Sequence, residues 1–302
     1  MRLSLAQVSG LEWGVRMNMV TQLTPEWRDW IRENLARGCS AQSLVADMVR
    51  NRFEPAFAGA AVHGMQTGMA APTATEPRAE GYVYETPRLP PGNRIIAADR
   101  EVQVAMRVEQ PALAVLDGVL SHEECDELIR RAAAKLQRST IVDPATGKHE
   151  TIADRSSEGT FFEINADDFI ARLDRRISAL MNLPVDHGEG LQILHYGPDG
   201  EYKPHFDFFP PGDPGSAVQM ATGGQRVSTL VMYLNEVEDG GATIFPELGL
   251  SVLPKKGSAV HFEYTNSRGQ LDPRTLHGGA PVLRGEKWIV TKWMRQRRYG
   301  AV

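Results

Sequence analysis

The chain has 302 residues, 42% of them hydrophobic and 24% charged, with a formal net charge of −5. This is ordinary globular composition with material for a sizeable core. A net acidic chain is not built to coat nucleic-acid phosphates, and Cys39 and Cys125 alone cannot frame a disulfide scaffold or a Cys-rich zinc module.

No apolar run is long enough to span a membrane. Residues 1–20 are too polar for a secretory leader, because Gln7, Glu12 and Arg16 break the apolar stretch. Met17 and Met19 are alternative starts. The expectation is a cytoplasmic protein, monomer or homodimer, with neither nucleic acid nor membrane as partner.

Thr24-Pro25-Glu26 reads as a helix start, a capping hydroxyl followed by proline. Trp27, Trp30, Ile31 and Leu35 follow at helical spacing as far as Gly38. Ser40 opens a second helix with Leu44, Val45, Met48 and Val49. Residues 1–55 are therefore expected to form an N-terminal helical hairpin, too short to stand alone. It would serve as a docked cap, or as a partner-binding or dimerising element. From 56 to 94 the composition shifts to Ala, Gly, Pro and Thr, with Pro72, Pro77, Pro87, Pro90 and Pro91, the signature of a linker or extended arm. The main domain is placed at residues 95–302.

Within that domain, residues 112–116 read as a strand. Ser121-His122-Glu123-Glu124 is a capping box opening a helix through Cys125, Leu128 and Ile129. Asn165-Ala166-Asp167-Asp168 opens a second helix, with Ile170, Leu173, Ile177 and Leu180 on one stripe. Beyond Leu183-Pro184 the pattern turns to short strands at 191–196, 227–234, 242–245, 258–262 and 287–293. Helices followed by many short strands predict an α+β domain built on a β-sandwich or barrel. Gly223-Gly224 and Gly240-Gly241 lack the strand–turn–helix setting of a phosphate loop.

Chemistry concentrates in Tyr202-Lys203-Pro204-His205-Phe206-Asp207. Residues two apart on a strand share a face, so His205 and Asp207 can grip one ion together. His277, just before another strand, is the candidate third ligand. Two histidines and one carboxylate leave half of a metal's coordination sphere open, as in non-haem Fe(II) oxygenases, although zinc tolerates the same ligands. Lys287 follows within a strand beside Trp288, and a buried ammonium there requires an anionic partner.

These segments resemble the prolyl 4-hydroxylase branch of the 2-oxoglutarate- and Fe(II)-dependent dioxygenases, over residues 113–297. The matching motifs occur in order: Leu194-His195-Tyr196-Gly197, His205-Phe206-Asp207, the run from Arg226 to Asn235, Gly240-Gly241-Ala242-Thr243-Ile244-Phe245-Pro246, His277-Gly278-Gly279 and Gly285-Glu286-Lys287-Trp288. Ala242 stands where the family usually has Glu.

The resemblance implies a double-stranded β-helix, jelly-roll or cupin-like, with flanking helices. It assigns Fe(II) to His205, Asp207 and His277, and the distal carboxylate of 2-oxoglutarate to Lys287 with Tyr196 and Thr229. Tyr202 and Trp293 would line the reaction chamber, and Arg226 would contact substrate. Residues 143–162 would form a mobile loop over a bound peptide, with Arg155 in its signature. O2 is the co-oxidant and L-ascorbate the reductant.

Related halogenases lack the metal carboxylate, so Asp207 favours hydroxylation, with succinate and CO2 as co-products. The implied substrate is a prolyl residue in a peptide or protein; the alternative is free proline, pipecolate or another amino or imino acid. A reading of another class is a non-catalytic iron- and 2-oxoglutarate-binding regulatory protein. His195 is expected in the core or behind the ligands, His261 in the sheet near the site, and Arg295, Arg297 and Arg298 as a solvated basic run.

Overall fold

A computed structural model describes residues 23–51, 53, 55–67, 82–139, 141–142, 149–150 and 156–299. Residues 1–22 and residues 68–81 of the proline-rich stretch lie outside the described set, as do residues 143–148 and 151–155, Arg155 among them. The chain forms two compact units, residues 1–81 and 82–302. Among the described residues no helix is long and apolar enough to cross a membrane.

In the first unit, helix α1 (Pro25–Ala36) is capped by Thr24, and α2 (Ala41–Arg50) by Ser40, whose hydroxyl accepts from the Ser43 amide at 3.2 Å. A third helix, α3 (Pro55–Thr67), occupies the beginning of the stretch read as an extended arm. The physical reason is its alanines, which are the strongest helix formers and also small enough to pack closely. Ala58, Ala61 and Val62 complete one core with Ile31, Leu44, Met48 and Phe53. Trp27 stands edge-on to Phe53, at 4.8 Å between ring centroids.

The second unit begins earlier than the expected residue 95, because the backbone from Tyr82 is already bonded into it. The Val83 amide donates to Gln270 (3.1 Å), the Arg88 guanidinium to Glu263 (2.9 Å), and Leu89 is buried.

A nine-stranded antiparallel sheet follows the order Arg94–Ala97, Arg100–Val108, Leu113–Asp117, Ala259–Glu263, Arg226–Tyr233, Lys287–Arg295, Leu191–Tyr196, Glu158–Phe162 and Gln137–Arg138. A four-stranded sheet runs Leu250–Val252, Thr243–Phe245, His277–Gly279, Tyr202–His205. This is the double-stranded β-helix anticipated from the resemblance.

Strand alternation divides the side chains between two cores. Leu194, Tyr196, Val231, Tyr233, Phe262 and Ile289 belong to an inner one with Phe245 of the small sheet. Leu191, Ile193, Leu230, Met232, Val290 and Met294 pack outward with helices α4 (His122–Ala133) and α5 (Asp168–Met181). Leu128, Leu173 and Ile177 supply the helix faces, and each such buried side chain contributes about 1.5–3 kcal/mol. The Ser121–Glu124 capping box forms as expected, and its Glu124 also binds Arg176 at 2.6 Å. A short helix not expected from the sequence, α6 (Pro214–Ala221), sits between Asp207 and Arg226.

Candidate active site

The strands Tyr202–His205 and His277–Gly279 pair antiparallel, with His205 directly opposite His277. Their approach is close enough to demand glycine: a Cβ at Gly278 would lie 2.9 Å from the Tyr202 carbonyl oxygen.

Nδ1 of His205 lies 2.9 Å from the Lys203 carbonyl, and Nδ1 of His277 lies 3.0 Å from that of Thr275. A carbonyl only accepts, so each Nδ1 carries the proton and each Nε2 keeps its lone pair. Those Nε2 atoms face the Asp207 carboxylate at 3.6 and 3.5 Å. Three acceptors within 4.8 Å of one another repel unless a cation sits among them. The donor set therefore fits a divalent metal with an open coordination face.

Burial alone would raise the Asp207 carboxyl, but His277 and His205, when their rings are protonated, and the Arg226 guanidinium together hold it well below the usual carboxylate range. Burial pushes His277 down to about 4, against the attraction of Asp207.

Behind the metal group, the Thr229 hydroxyl donates to Asp207 Oδ2 at 2.7 Å. Having spent its proton there, it accepts from Tyr264 Oη at 3.0 Å. This chain fixes the plane of the carboxylate, as outer partners of metal ligands generally do. Thr229 thus stands behind the metal group and does not line the cavity. Its register explains why: it pairs with Trp293, six residues along the strand from Lys287 (293 − 287), roughly 20 Å at the rise of an extended chain.

The metal group opens into one cavity of about 530 Å3 that Tyr196, Tyr202, Arg226, Thr243, Lys287 and Trp293 also line. Lys287 is buried, pairs with no carboxylate among the described residues, and is pushed down to about 7 by burial alone. Its ammonium lies 5.7 Å from the Tyr196 ring and 6.0 Å from that of Tyr233. Tyr233 donates its hydroxyl to Thr243 at 2.8 Å. A lone buried cation beside hydroxyls fits one carboxylate of a dicarboxylate whose other end reaches the metal. Thr243 was missed as a site residue; its signal was its place directly after Gly240-Gly241-Ala242 in the turn motif. Ala242 is buried and does not line the cavity.

Arg226 reaches the cavity because a bulge between residues 226 and 228 reverses the alternation of its strand. Glu189 takes its Nε and Nη2 at 2.6 and 2.8 Å, and its guanidinium lies 4.0 Å from the Trp293 ring. Tyr202 stacks on the His205 ring at 3.7 Å.

Three expectations need correction. Arg295 is fully buried, the last inward residue of a strand read as ending at 293, whereas Arg297 and Arg298 are exposed. His261 sits away from the cavity, on the opposite strand face from Val260 and Phe262. His195 packs on Trp288 and pairs with Glu286 at 2.8 Å, outside the cavity.

Comparison with known proteins bears on this geometry. The profile of the 2OG-Fe(II) oxygenase superfamily matches residues 191–295. Probable prolyl 4-hydroxylase 3 of Arabidopsis thaliana is 40% identical over 209 residues, 63% of this chain and 71% of the relative. Prolyl 4-hydroxylase subunit alpha-1 of Mus musculus is 37% identical over 189 residues, 63% of this chain and 35% of that protein. A viral collagen prolyl hydroxylase from Paramecium Bursaria Chlorella virus-1, solved with 2OG, aligns over 61% of this chain and 95% of its own, at 30% identity and a TM-score of 0.48. With a superfamily profile that spans both ligand strands and the lysine strand, and a relative 40% identical of which this chain covers 71%, the chain belongs to the prolyl 4-hydroxylase family of 2-oxoglutarate- and Fe(II)-dependent dioxygenases.

Proposed function

We propose that this chain hydroxylates prolyl residues in peptides or proteins. When bound, iron with 2-oxoglutarate and O2 supplies the oxidising chemistry that yields succinate, CO2 and a hydroxylated C–H. His205, Asp207 and His277 hold the metal, with Thr229 and Tyr264 fixing the carboxylate. Lys287, with Tyr196 and Thr243, takes the distal carboxylate of the cosubstrate. Tyr202, Trp293 and Arg226 place the proline and exclude water from it.

The observation that carries the peptidyl reading is the pairing of charges in the cavity. Glu189 is shared with Arg226, Lys203 pairs with Glu201 at 2.7 Å, and Asp207 and Lys287 are assigned to metal and cosubstrate. Among the described lining residues only Asp213 has a charge without a partner. A free imino acid brings two charges that need opposite partners, whereas a peptidyl proline brings neutral carbonyls. Exposed Phe161 and Phe206 at the cavity add an apolar surface for a longer chain.

The test is succinate release from 2-oxoglutarate with Fe(II) and ascorbate, comparing proline-rich peptides with free proline and pipecolate. Stimulation by peptides alone is expected. Stimulation by free imino acids alone sinks the peptidyl reading, and no substrate-dependent succinate at all would favour a non-catalytic binder.

A further inference from the structure

Five side chains beside the metal group form an alternating stack of rings and guanidiniums. Arg226 lies over Trp293 at 4.0 Å and over Phe209 at 5.0 Å. Arg295 lies over the same Phe209 at 4.8 Å and over Tyr299 at 4.7 Å. Rings between cations attract both through their negative faces. The two guanidiniums also share one carboxylate: Glu189 Oε1 is 2.6 Å from Arg226 Nε and 2.7 Å from Arg295 Nε. The Arg295 contact is an ion pair rather than a directed hydrogen bond, its N–H lying off the line to the oxygen.

Four members of the stack line the cavity; Arg295 does not. What Arg295 reaches is the excursion between Asp207 and Arg226. Its Nη1 donates to the Gly224 carbonyl at 2.6 Å and to that of Gln219, in α6, at 3.3 Å. Phe209, at the start of the excursion, is further clasped by Gln225, which accepts from its amide at 2.8 Å and donates to its carbonyl at 2.7 Å. One buried guanidinium therefore ties down the beginning, the helix and the end of a wall whose Asp213, Ser216 and Gln219 face the cavity.

We propose that Arg295 is a positioning residue for substrate recognition, holding this wall and Glu189 so that Arg226 keeps one orientation against Trp293. The inference rests on the peptidyl-hydroxylase reading. Arg226 has five N–H groups; three are committed, two to Glu189 and one to the Asp207 carbonyl at 3.3 Å, which leaves two for a substrate acceptor. Those two keep their aim only while the stack holds the guanidinium plane. Replacing Arg295 leaves Glu189 still paired with Arg226, so no buried charge is stranded.

The experiment is steady-state kinetics on the full chain with Fe(II), 2-oxoglutarate, O2, a proline-rich peptide and ascorbate to reduce the metal after uncoupled turnovers, comparing wild type with Arg295→Leu, Arg295→Lys and Phe209→Leu. Arg295→Leu is expected to raise the peptide KM about tenfold and to release more succinate than hydroxyproline, with the 2-oxoglutarate KM within about twofold of wild type. Arg295→Lys keeps the charge but offers no planar face, so it is expected to restore the melting temperature but not the peptide KM.

A peptide KM unmoved by Arg295→Leu overturns the proposal. So does a joint rise of both KM values that Arg295→Lys reverses together with Tm, because that pattern is only structural. If Arg295→Leu does not accumulate folded, Phe209→Leu reads the same stack, and an unchanged peptide KM there is equally fatal. Wild type that no peptide stimulates overturns the functional reading and this inference with it; stimulated wild type with indifferent variants overturns this inference alone.

Discussion

The two ends of the cavity treat charge in opposite ways. At the metal and cosubstrate end, charges are left without opposite charges among the described residues: two Nε2 atoms converge on the Asp207 carboxylate, and the buried Lys287 ammonium pairs with no carboxylate. At the substrate wall, Glu189 satisfies both Arg226 and Arg295, and the remaining guanidinium faces are covered by rings. Unpaired buried groups cost free energy that only an incoming ligand recovers. The first end is thus incomplete until its charged ligands bind, whereas the second is finished and ready for a neutral one.

The largest expected effect breaks the incomplete end outright. Asp207→Ala removes the anionic ligand between two histidines, and hydroxylation should fall by about a thousandfold or more, with far-UV circular dichroism unchanged. Turnover near wild type would remove Asp207 from the metal.

Lys287→Ala should raise the 2-oxoglutarate KM about a hundredfold, while Fe(II) affinity stays close to wild type. An unchanged KM would refute that pairing.

The pH dependence sharpens the same contrast. Lys287, pushed down to about 7, is charged below that pH and largely neutral above it. The dianionic cosubstrate favours the charged form, so above pH 7 binding must take up a proton. The 2-oxoglutarate KM should then be flat from about pH 6 to 7 and rise by up to about tenfold per unit beyond, a rise that Lys287→Ala abolishes. A wild-type KM independent of pH would mean that Lys287 titrates elsewhere.

The smallest effect is expected from Thr229→Val, which keeps the side-chain shape but removes the hydrogen bond to Asp207. Iron affinity should weaken about tenfold with the 2-oxoglutarate KM nearly unchanged. A selective rise in that KM would place Thr229 back at the cosubstrate.

Much of this was legible in the chain itself because the information is local. The caps Thr24, Ser40 and Ser121, the alternation along residues 287–293 and the two-residue spacing of His205 and Asp207 depend on neighbours in sequence. The family motifs then carried His277 and Lys287 to the same site. Arg295 was legible in principle, since it has the same parity as Lys287 and Trp293, but its charge argued for solvent while its partner Glu189 lies more than a hundred residues away (295 − 189). The α3 helix was obscured because alanine-rich composition is shared by helices and linkers, and the burial of Ala58 and Ala61 decides between them.

What the tertiary structure alone decided is which residues meet. Thr229 and Thr243 are both inward-facing threonines on strands of the same barrel. The sequence offers no ruler to say which end each occupies. Strand register supplies it, pairing Thr229 with Trp293 and Tyr233 with Ile289, so that Thr229 serves the metal carboxylate while Tyr233 brings Thr243 toward the lysine. A chain determines its patterns residue by residue, but long-range register is set by the packing of whole sheets, where a shift of one residue would turn every side chain to the other face.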